Sequence, residues 1–465
     1  MQATTLEAGS ELDGFRILRR LHAGGMAVIY EVEREDLPGP AVMKVPRLEQ
    51  GESGATVVSF EVEQMMLAAA GGGPVPALYA QGDLAREPYL VMERIEGETL
   101  SARMDQLPWS LDEVCRVGAI VADAVQALYE RDIIHLDIKP SNIILSLDGR
   151  AVLIDLGLAH HAHLPDLLAE EFRRPLGSAP YISPEQIFGV RNDARSDIFA
   201  LGAMLYQLAT GHLPFGAPNS LSGLQKRFRM QPVPPRGWNP DLHPGVQEII
   251  LRCLEVDPAR RYANAAQLAQ ALRDPDSVPL SARSYRRQRD SAWQRFKRWL
   301  FGVGFDPAAV PPAPIAGSDP IVLVLVSAWQ SDEALQQALR QQAARTARAR
   351  PRTRMAFVTV VKPAPVMGVA DDAQSAPRRH LRLLVELRHW AANVDIEAAR
   401  KTCHVIEGAD VGRAVLEYIR ANPVETVLLA AGPNEAFAGR ATAAVARIAL
   451  QAPCTVQVVR VPPGS

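Results

Sequence analysis

At 465 residues the chain exceeds what one typical core holds, so two domains joined by a linker are expected. Hydrophobic content of 48% and charged content of 22% are ordinary for a folded globular protein and exclude disorder of the whole chain. A formal charge of -2 excludes a global pull toward nucleic acid or an acidic substrate, so electrostatic function must be local. The opening stretch "MQATTLEAGSELDGF" lacks a basic region followed by an apolar core, and no apolar run reaches the length of a membrane span. Cys115, Cys253, Cys403 and Cys454 show no CxxC or zinc-type spacing and read as buried thiols. A cytoplasmic protein is the expectation.

After a tail at 1–13, residues 14–274 open with strand-like runs, "FRILRRL", "AVIYEVE", "AVMKV" and "PYLVMERI", and continue with helical patterns such as "LDEVCRVGAIVADAVQALYERD". Residues 275–320 begin with the basic, aromatic "RSYRRQRDSAWQRFKRWLF" and end in the Pro/Ala-rich "FDPAAVPPAPIAGSDP", a linker composition. Over 321–461, short apolar strands ("IVLVLV", "MAFVTVV", "TVLLAA", "CTVQVV") alternate with amphipathic helices, the pattern of a parallel sheet covered on both faces.

The stretch "IIHLDIKPSNIIL", 133–145, packs Asp137, Lys139 and Asn142 into six positions of an otherwise apolar run. Apolar residues on both sides anchor a loop whose polar groups are then held rigidly at a cleft. Asp137 can accept a proton from an attacking hydroxyl, Lys139 can neutralise a transferring phosphoryl group, and Asn142 can offer an oxygen to Mg2+. Farther on, "AVLIDLGLA" sets Asp155 at the end of an apolar strand, where a carboxylate can hold a metal bridging ATP phosphates.

These residues resemble the eukaryotic-type serine/threonine protein kinase family in its bacterial form. The catalytic loop HRDxKxxN reads "HLDIKPSN", and the metal-binding DFG reads "DLG" at Asp155 to Gly157. "AVMKV" puts Lys44 at the phosphate-binding lysine, with Glu63 of "FEVEQMMLAAA" its helix partner and Glu61 the runner-up. "GSAPYISPE" (177–185) resembles the close of the activation loop, "SDIFALG" the helix start at Asp197, and "LEVDPARRY" supplies Arg261 as ion-pair partner of Glu185. The resemblance implies a two-lobed α+β kinase fold, with an N-lobe over about 14–95 and a C-lobe over about 96–274. It further implies ATP and Mg2+ as cofactors and a protein substrate with a Ser or Thr acceptor, since Lys139 and Ser178 match the serine/threonine-specific pattern.

The nucleotide cover departs from the family pattern. GxGxxG appears as "HAGGMA", with His22 at the first glycine position and Ala27 at the third, leaving Gly24 and Gly25. The resemblance assigns Leu21, Gly24, Gly25, Met26, Ala27 and Ile29 to the ATP cover, and Met92, Glu93 and Ile95 to the adenine hinge. Glycine is wanted there for its freedom at positive φ and its lack of a side chain. A catalytically weak kinase-like scaffold or sensor is the alternative that His22 motivates. Residues 321–461 resemble the universal stress protein family, an α/β fold that often dimerises, although its phosphate loop has become "GPNEAFAGRAT" with Gly432 and Gly439 as remnants. Homodimerisation through this domain and control of the kinase by it are expected. In the linker, 283–301 gathers Trp293, Phe296 and Leu300 on one helical face among Arg287, Arg295, Lys297 and Arg298. Packing on a folded domain is favoured for it over contact with an anionic membrane. Finally, the arginine of HRD is replaced by Leu136, and Ser178 is the sole hydroxyl between Asp155 and Tyr181, so control by activation-loop phosphorylation is not expected.

Overall fold

The computed structural model describes residues 6–47, 54–82, 88–162, 164, 166–168, 175–228, 230–288, 320–326, 333–350, 353–361, 376–396, 400–422, 424–431 and 441–460. The remnant glycines Gly432 and Gly439, and the helix expected over 283–301 beyond its first residues, lie outside these.

The first layer is a six-stranded antiparallel sheet, formed by β1 (Glu11–Leu12), β2 (Phe15–Ala23), β3 (Ala27–Glu33), β4 (Ala41–Pro46), β5 (Leu78–Gln81) and β6 (Leu90–Glu93) in the order β1-β2-β3-β4-β6-β5. Alternation along the strands puts Phe15, Ile17, Tyr30, Val32, Ala41, Met43 and Val91 into one apolar cluster. Lys44, next to Met43, therefore emerges on the opposite face of β4. Across that face lies helix α1 (Gly54–Ala70).

Residues 94–96 lead from β6 into β7 (Gly97–Thr99), which pairs with β9 (Ile143–Ser146) once β8 (Ile133–Ile134) has been passed. Gly97, at φ 151°, is indispensable here, because a Cβ would sit 2.1 Å from the Leu145 carbonyl oxygen. The second lobe is built on α2 (Leu111–Tyr129) and α3 (Arg195–Thr210), followed by α4 (Pro244–Cys253) and α5 (Ala265–Arg273). The Ser110 hydroxyl accepts the Glu113 N–H at the start of α2, and Asp112 and Glu113 complement the helix dipole. Helix α3 is apolar on nearly every side and buried, and it ends at Gly211 in the left-handed region. Short strands β10 (Ala151–Leu153) and β11 (His160–His161) complete the lobe, with β10 against β9 and β11 against β8.

The stretch expected to start the linker at 275 begins instead as a strap on the second lobe. The Ser281 and Ser284 hydroxyls donate to Glu248 at 2.8 and 2.6 Å, and Gln247 Nε2 donates to the carbonyls of Arg283, Ser284 and Arg286.

The C-terminal part is a five-stranded parallel sheet of β12 (Ile321–Leu325), β13 (Arg354–Val361), β14 (Lys401–Glu407), β15 (Val424–Ala430) and β16 (Thr455–Val459), in the order β14-β13-β12-β15-β16. Helices α6 (Glu333–Ala349), α7 (Ala376–Ala392), α8 (Val411–Ala421) and α9 (Ala441–Gln451) accompany it. Separate apolar clusters fill its two sides, one around Val415, Tyr418 and Ile448 and the other around Leu335, Phe357 and Trp390. Continuous apolar runs such as "IVLVL" are what a strand covered on both faces needs. Of the four cysteines only Cys253 is fully buried. Cys115, Cys403 and Cys454 are half-buried, which corrects the expectation of four buried thiols, and all four are free. Among the described residues no helix is long and apolar enough to cross a membrane.

Candidate active site

The loop between β8 and β9 is tied down from below. Asp197, at the start of α3 and fully buried, accepts the backbone N–H groups of His135 and Leu136 at 2.9 and 2.8 Å. Gln186 Nε2 donates to the Leu136 carbonyl at 2.8 Å. These bonds hold Leu136 at φ 62°, a left-handed conformation that a γ-branched residue keeps only when its surroundings impose it. Its side chain is buried in the main apolar cluster.

On that base Asp137 is oriented from three sides. Oδ1 accepts the Ser178 N–H at 2.8 Å, Oδ2 accepts from Lys139 Nζ at 2.6 Å, and Asn142 Nδ2 donates to the Asp137 carbonyl at 3.0 Å. Lys139 also reaches the Ser178 hydroxyl at 3.0 Å, so the end of the activation segment is clipped to the loop. With the Asn142 amide nitrogen turned to Asp137, its oxygen is the end that can face a cation. The Ile154 N–H donates to the Asn142 carbonyl at 2.9 Å, which sets Asp155 one residue from that contact. Asp155 lies at φ 64°.

Across the cleft, Lys44 Nζ meets Glu63 Oε2 at 2.6 Å and Oε1 at 2.7 Å, and Asp155 Oδ1 at 3.5 Å. Burial works against the lysine's charge, but Glu63 and then Asp155 outweigh it and raise its pKa above the usual value. Burial likewise opposes the charge of Asp155, yet Lys44, Lys139 and His135 hold its carboxyl below the usual range. Both groups are therefore charged at neutral pH. The runner-up Glu61 is two residues away on the helix and faces elsewhere, toward Arg388 at 4.0 Å.

The two oxygen donors, Asp155 and Asn142, are hard ligands of the kind Mg2+ takes one or two at a time beside phosphate oxygens. Among the described residues no group of three or more His, Cys, Asp or Glu side chains could hold a metal on its own. The chemistry of these two donors fits Mg2+.

The residues expected to cover the nucleotide occupy the β2–β3 hairpin and the strands behind it. Leu21 is exposed on β2, Ile29 pairs with both His22 and Lys44, and the Gly24 N–H donates to the Ala27 carbonyl at 3.0 Å. Met26 is largely exposed, and its carbonyl accepts the Arg47 N–H. Neither Gly24 nor Gly25 adopts positive φ, and a Cβ at Gly25 would meet open space, so conformational freedom is not what this hairpin uses them for. A Cβ at Gly24 would come 3.3 Å from His22 Nε2, so the imidazole lies against that glycine. Met92 is buried at the end of β6. The Glu93 N–H is occupied by the Ala77 carbonyl at 2.8 Å, and Ile95 lies half-buried just after the strand.

Three supports were missed from the sequence. The Ser59 hydroxyl on α1 donates to the Gly157 carbonyl at 3.0 Å, and any Cβ at Gly157 would collide with that hydroxyl at 2.3 Å. Arg191 pairs with buried Asp166 at 2.8 Å and donates to the Leu158 carbonyl at 2.9 Å. Arg227 is almost fully buried and holds the carbonyls of Ala179 and Ile182. Only the glycine of "DLG" carried a local signal for any of these. The Glu185–Arg261 pair is formed bidentately at 2.7 and 2.8 Å, with Ser196 donating to the same carboxylate.

The two lobes, the lysine–glutamate pair and the anchored acid loop are the features of a protein kinase. The chain belongs to the protein kinase domain family, which matches residues 15–274. It is similar to the serine/threonine-protein kinase Pkn1 of Myxococcus xanthus, with 32% identity over 286 residues, 60% of this chain and 41% of Pkn1. A second relative, the probable serine/threonine-protein kinase CA_C1728 of Clostridium acetobutylicum, is 30% identical and covers 56% of this chain and 39% of its own. The chain thus spans less than half the length of these curated relatives. Among solved structures, the kinase domain of Mycobacterium tuberculosis PknI aligns with 58% of this chain and 100% of its own at 23% identity, with a TM-score of 0.46.

Proposed function

We propose that this protein is an ATP- and Mg2+-dependent serine/threonine kinase that transfers the γ-phosphoryl group to protein hydroxyls, acts in the cytoplasm and is regulated by its C-terminal domain. The observation that carries the reading is the meeting of Lys44, Glu63 and Asp155 across the cleft from a fully anchored Asp137. The names of Pkn1 and CA_C1728 agree with the choice of serine and threonine as acceptors.

In this reading Asp137 takes the proton of the acceptor hydroxyl, because its carboxylate is fixed by the Ser178 N–H and Lys139 and needs no reorganisation. Lys139 offsets negative charge developing beside it, and Lys44, steadied by Glu63, positions phosphate oxygens. Asp155 and Asn142 would hold Mg2+, which when bound supplies charge neutralisation to the phosphates. Leu21, Gly24, Gly25, Met26, Ala27 and Ile29 cover the nucleotide, and Met92, Glu93 and Ile95 border its base. We take the kinase unit as 14–274 and assign 321–461 to a universal stress protein-like domain. The five-stranded parallel sheet supports that assignment, and a homodimer through this domain goes with it. The balanced charge gives no reason to invoke nucleic acid.

Transfer of labelled γ-phosphate to a generic basic protein tests the reading, with Asp155→Asn as the blank and phosphoamino-acid analysis of the product. Label on serine or threonine above the blank is expected. Wild-type incorporation no greater than the blank would leave the kinase-like scaffold as the reading.

A further inference from the structure

Helix α1 buries two carboxylates that cannot serve the same site. Glu61 and Glu63 are 2% and 4% exposed, and two helical steps turn them about 200° apart around the axis. Glu63 faces the cleft and Lys44. Glu61 faces the C-terminal sheet, where Arg388 of α7 reaches it at 4.0 Å and donates to Gln64, one turn on, at 3.5 Å. Cys403 of β14 sits close enough to feel the charges of both Arg388 and Glu61.

Apolar packing runs the same way. Val361, Leu384 and Val405, all from the C-terminal part, belong to the cluster that contains Val58, Val62 and Met66 of α1. A helix buried all round owes its position to partners on every side. The C-terminal part also touches the activation segment, where Asn422 Oδ1 accepts the Asp166 N–H at 3.0 Å. Asp166 is in turn the partner of Arg191, which holds Leu158 beside the metal-site turn. Thus one domain grips the helix that carries Glu63, which is itself bonded through Ser59 to Gly157, and the segment that follows Asp155.

From this we infer that the C-terminal α/β domain is a built-in activator, docked on the outer face of α1 through Arg388 and Leu384 so that Glu63 stays turned to Lys44. The inference rests on the kinase reading above and adds its direction of control. Undocking lets α1 rotate or swing outward, and either movement separates Glu63 from Lys44. Coupling is reciprocal, so a nucleotide that closes the cleft also tightens the docking.

The test uses the full chain and two readouts, amide exchange over 58–70 and phosphotransfer rate. Arg388→Glu, at a half-exposed site, is expected to speed exchange in α1 and lower the rate by about fivefold, the low end of interdomain coupling. Leu384→Ala should act in the same direction, and Glu61→Arg combined with Arg388→Glu should restore part of both losses. Unchanged exchange and unchanged rate in both Arg388→Glu and Leu384→Ala would overturn the inference. A rate that rises in these variants would overturn it too, making the contact inhibitory. If the wild-type chain transfers no phosphate while α1 exchange still responds to Arg388→Glu, the kinase reading fails and the docking stands.

Discussion

The kinase lobes and the C-terminal sheet differ in how some of their most buried polar side chains are used. In the lobes, the side chains of Arg261 and Glu185 are each at most 1% exposed, yet they form two direct hydrogen bonds with each other, while Ser196 donates to Glu185 and Arg261 donates to the Arg195 carbonyl. Asp197 and Arg191 are likewise spent on holding loops. In the C-terminal sheet, both ring nitrogens of His404 and the hydroxyls of Thr359 and Thr402 are buried without a hydrogen-bond partner. The networked groups of the lobes fix a geometry, whereas these unpartnered groups of the sheet cost stability; the lobes carry a few of that kind as well, at His160 Nδ1, Arg236 Nε and the Tyr262 hydroxyl.

The comparison is sharpened most by the loop those networks exist to hold. Asp137→Asn keeps the size of the side chain but removes the carboxylate proposed as the base. It should lower the phosphotransfer rate by roughly 10² to 10⁴ while nucleotide binding persists, read by single-turnover kinetics beside a nucleotide-binding titration. A wild-type rate in that variant would show that Asp137 is not the base.

Next in size is the static pair. Arg261→Met leaves Glu185 charged in an apolar site, and breaking a buried pair in this manner costs about 3–5 kcal/mol. Urea unfolding should show that loss. The pair also sets a pH limit: burial pushes the Glu185 pKa up, but Arg261 and Ser196 overcome it and hold it below the usual range. A carboxylate depressed in the folded state contributes stability that is present above its unfolded pKa and is lost as pH falls through its folded one. The Glu185–Arg261 pair should therefore hold at pH 5 and weaken only in stronger acid.

His404 sets an earlier limit for the other region. Burial, with Arg388 adding its charge, lowers its pKa to about 3. Between that value and the unfolded one near 6.5, the unfolded chain binds the extra proton, so stability falls as pH drops through this window. From pH 7 to pH 5 the C-terminal sheet should lose about 2 kcal/mol, and His404→Leu should flatten the dependence. Amide exchange in 401–407 against pH distinguishes the outcomes. Equal acid sensitivity in the two regions would break the comparison.

What the sequence disclosed follows the range of the interactions. Asp137, Lys139 and Asn142 were legible because six consecutive positions carry them, and their mutual bonds span no more than five residues. Lys44 and Glu63 were legible through the resemblance of "AVMKV" and "FEVEQMMLAAA" to the family pattern, which left Glu61 as the runner-up. The parallel sheet announced itself through continuous apolar runs. By contrast Ser59 meets Gly157 across 98 positions, and Asn422 meets Asp166 across 256. Such contacts are fixed by packing, and no local pattern in a single chain encodes them. The strap at 281–286 was hidden for the opposite reason, since its basic composition reads as linker while its backbone carbonyls and serines do the binding.

The smallest expected effect is the one that would say most about control. A phosphorylated activation loop works by giving an arginine of the catalytic loop an anion to pair with, ordering the segment through charge-assisted hydrogen bonds. Here that position is Leu136, buried at 2% exposure among apolar side chains, so no cation waits there. The segment is tied by other means. Ser178 is bonded through its N–H to Asp137 and through its hydroxyl to Lys139, Arg227 grips the carbonyls of Ala179 and Ile182, and Asn422 holds Asp166. Ser178 is also the one hydroxyl between Asp155 and Tyr181, and a phosphate on it would replace the contact to Lys139 and crowd Asp137. Phosphatase-treated protein, verified as unphosphorylated by mass, should accordingly keep most of its rate. A large loss that returns when phosphate is restored to this segment would place the switch in the loop and remove the need for the α1 contact as activator.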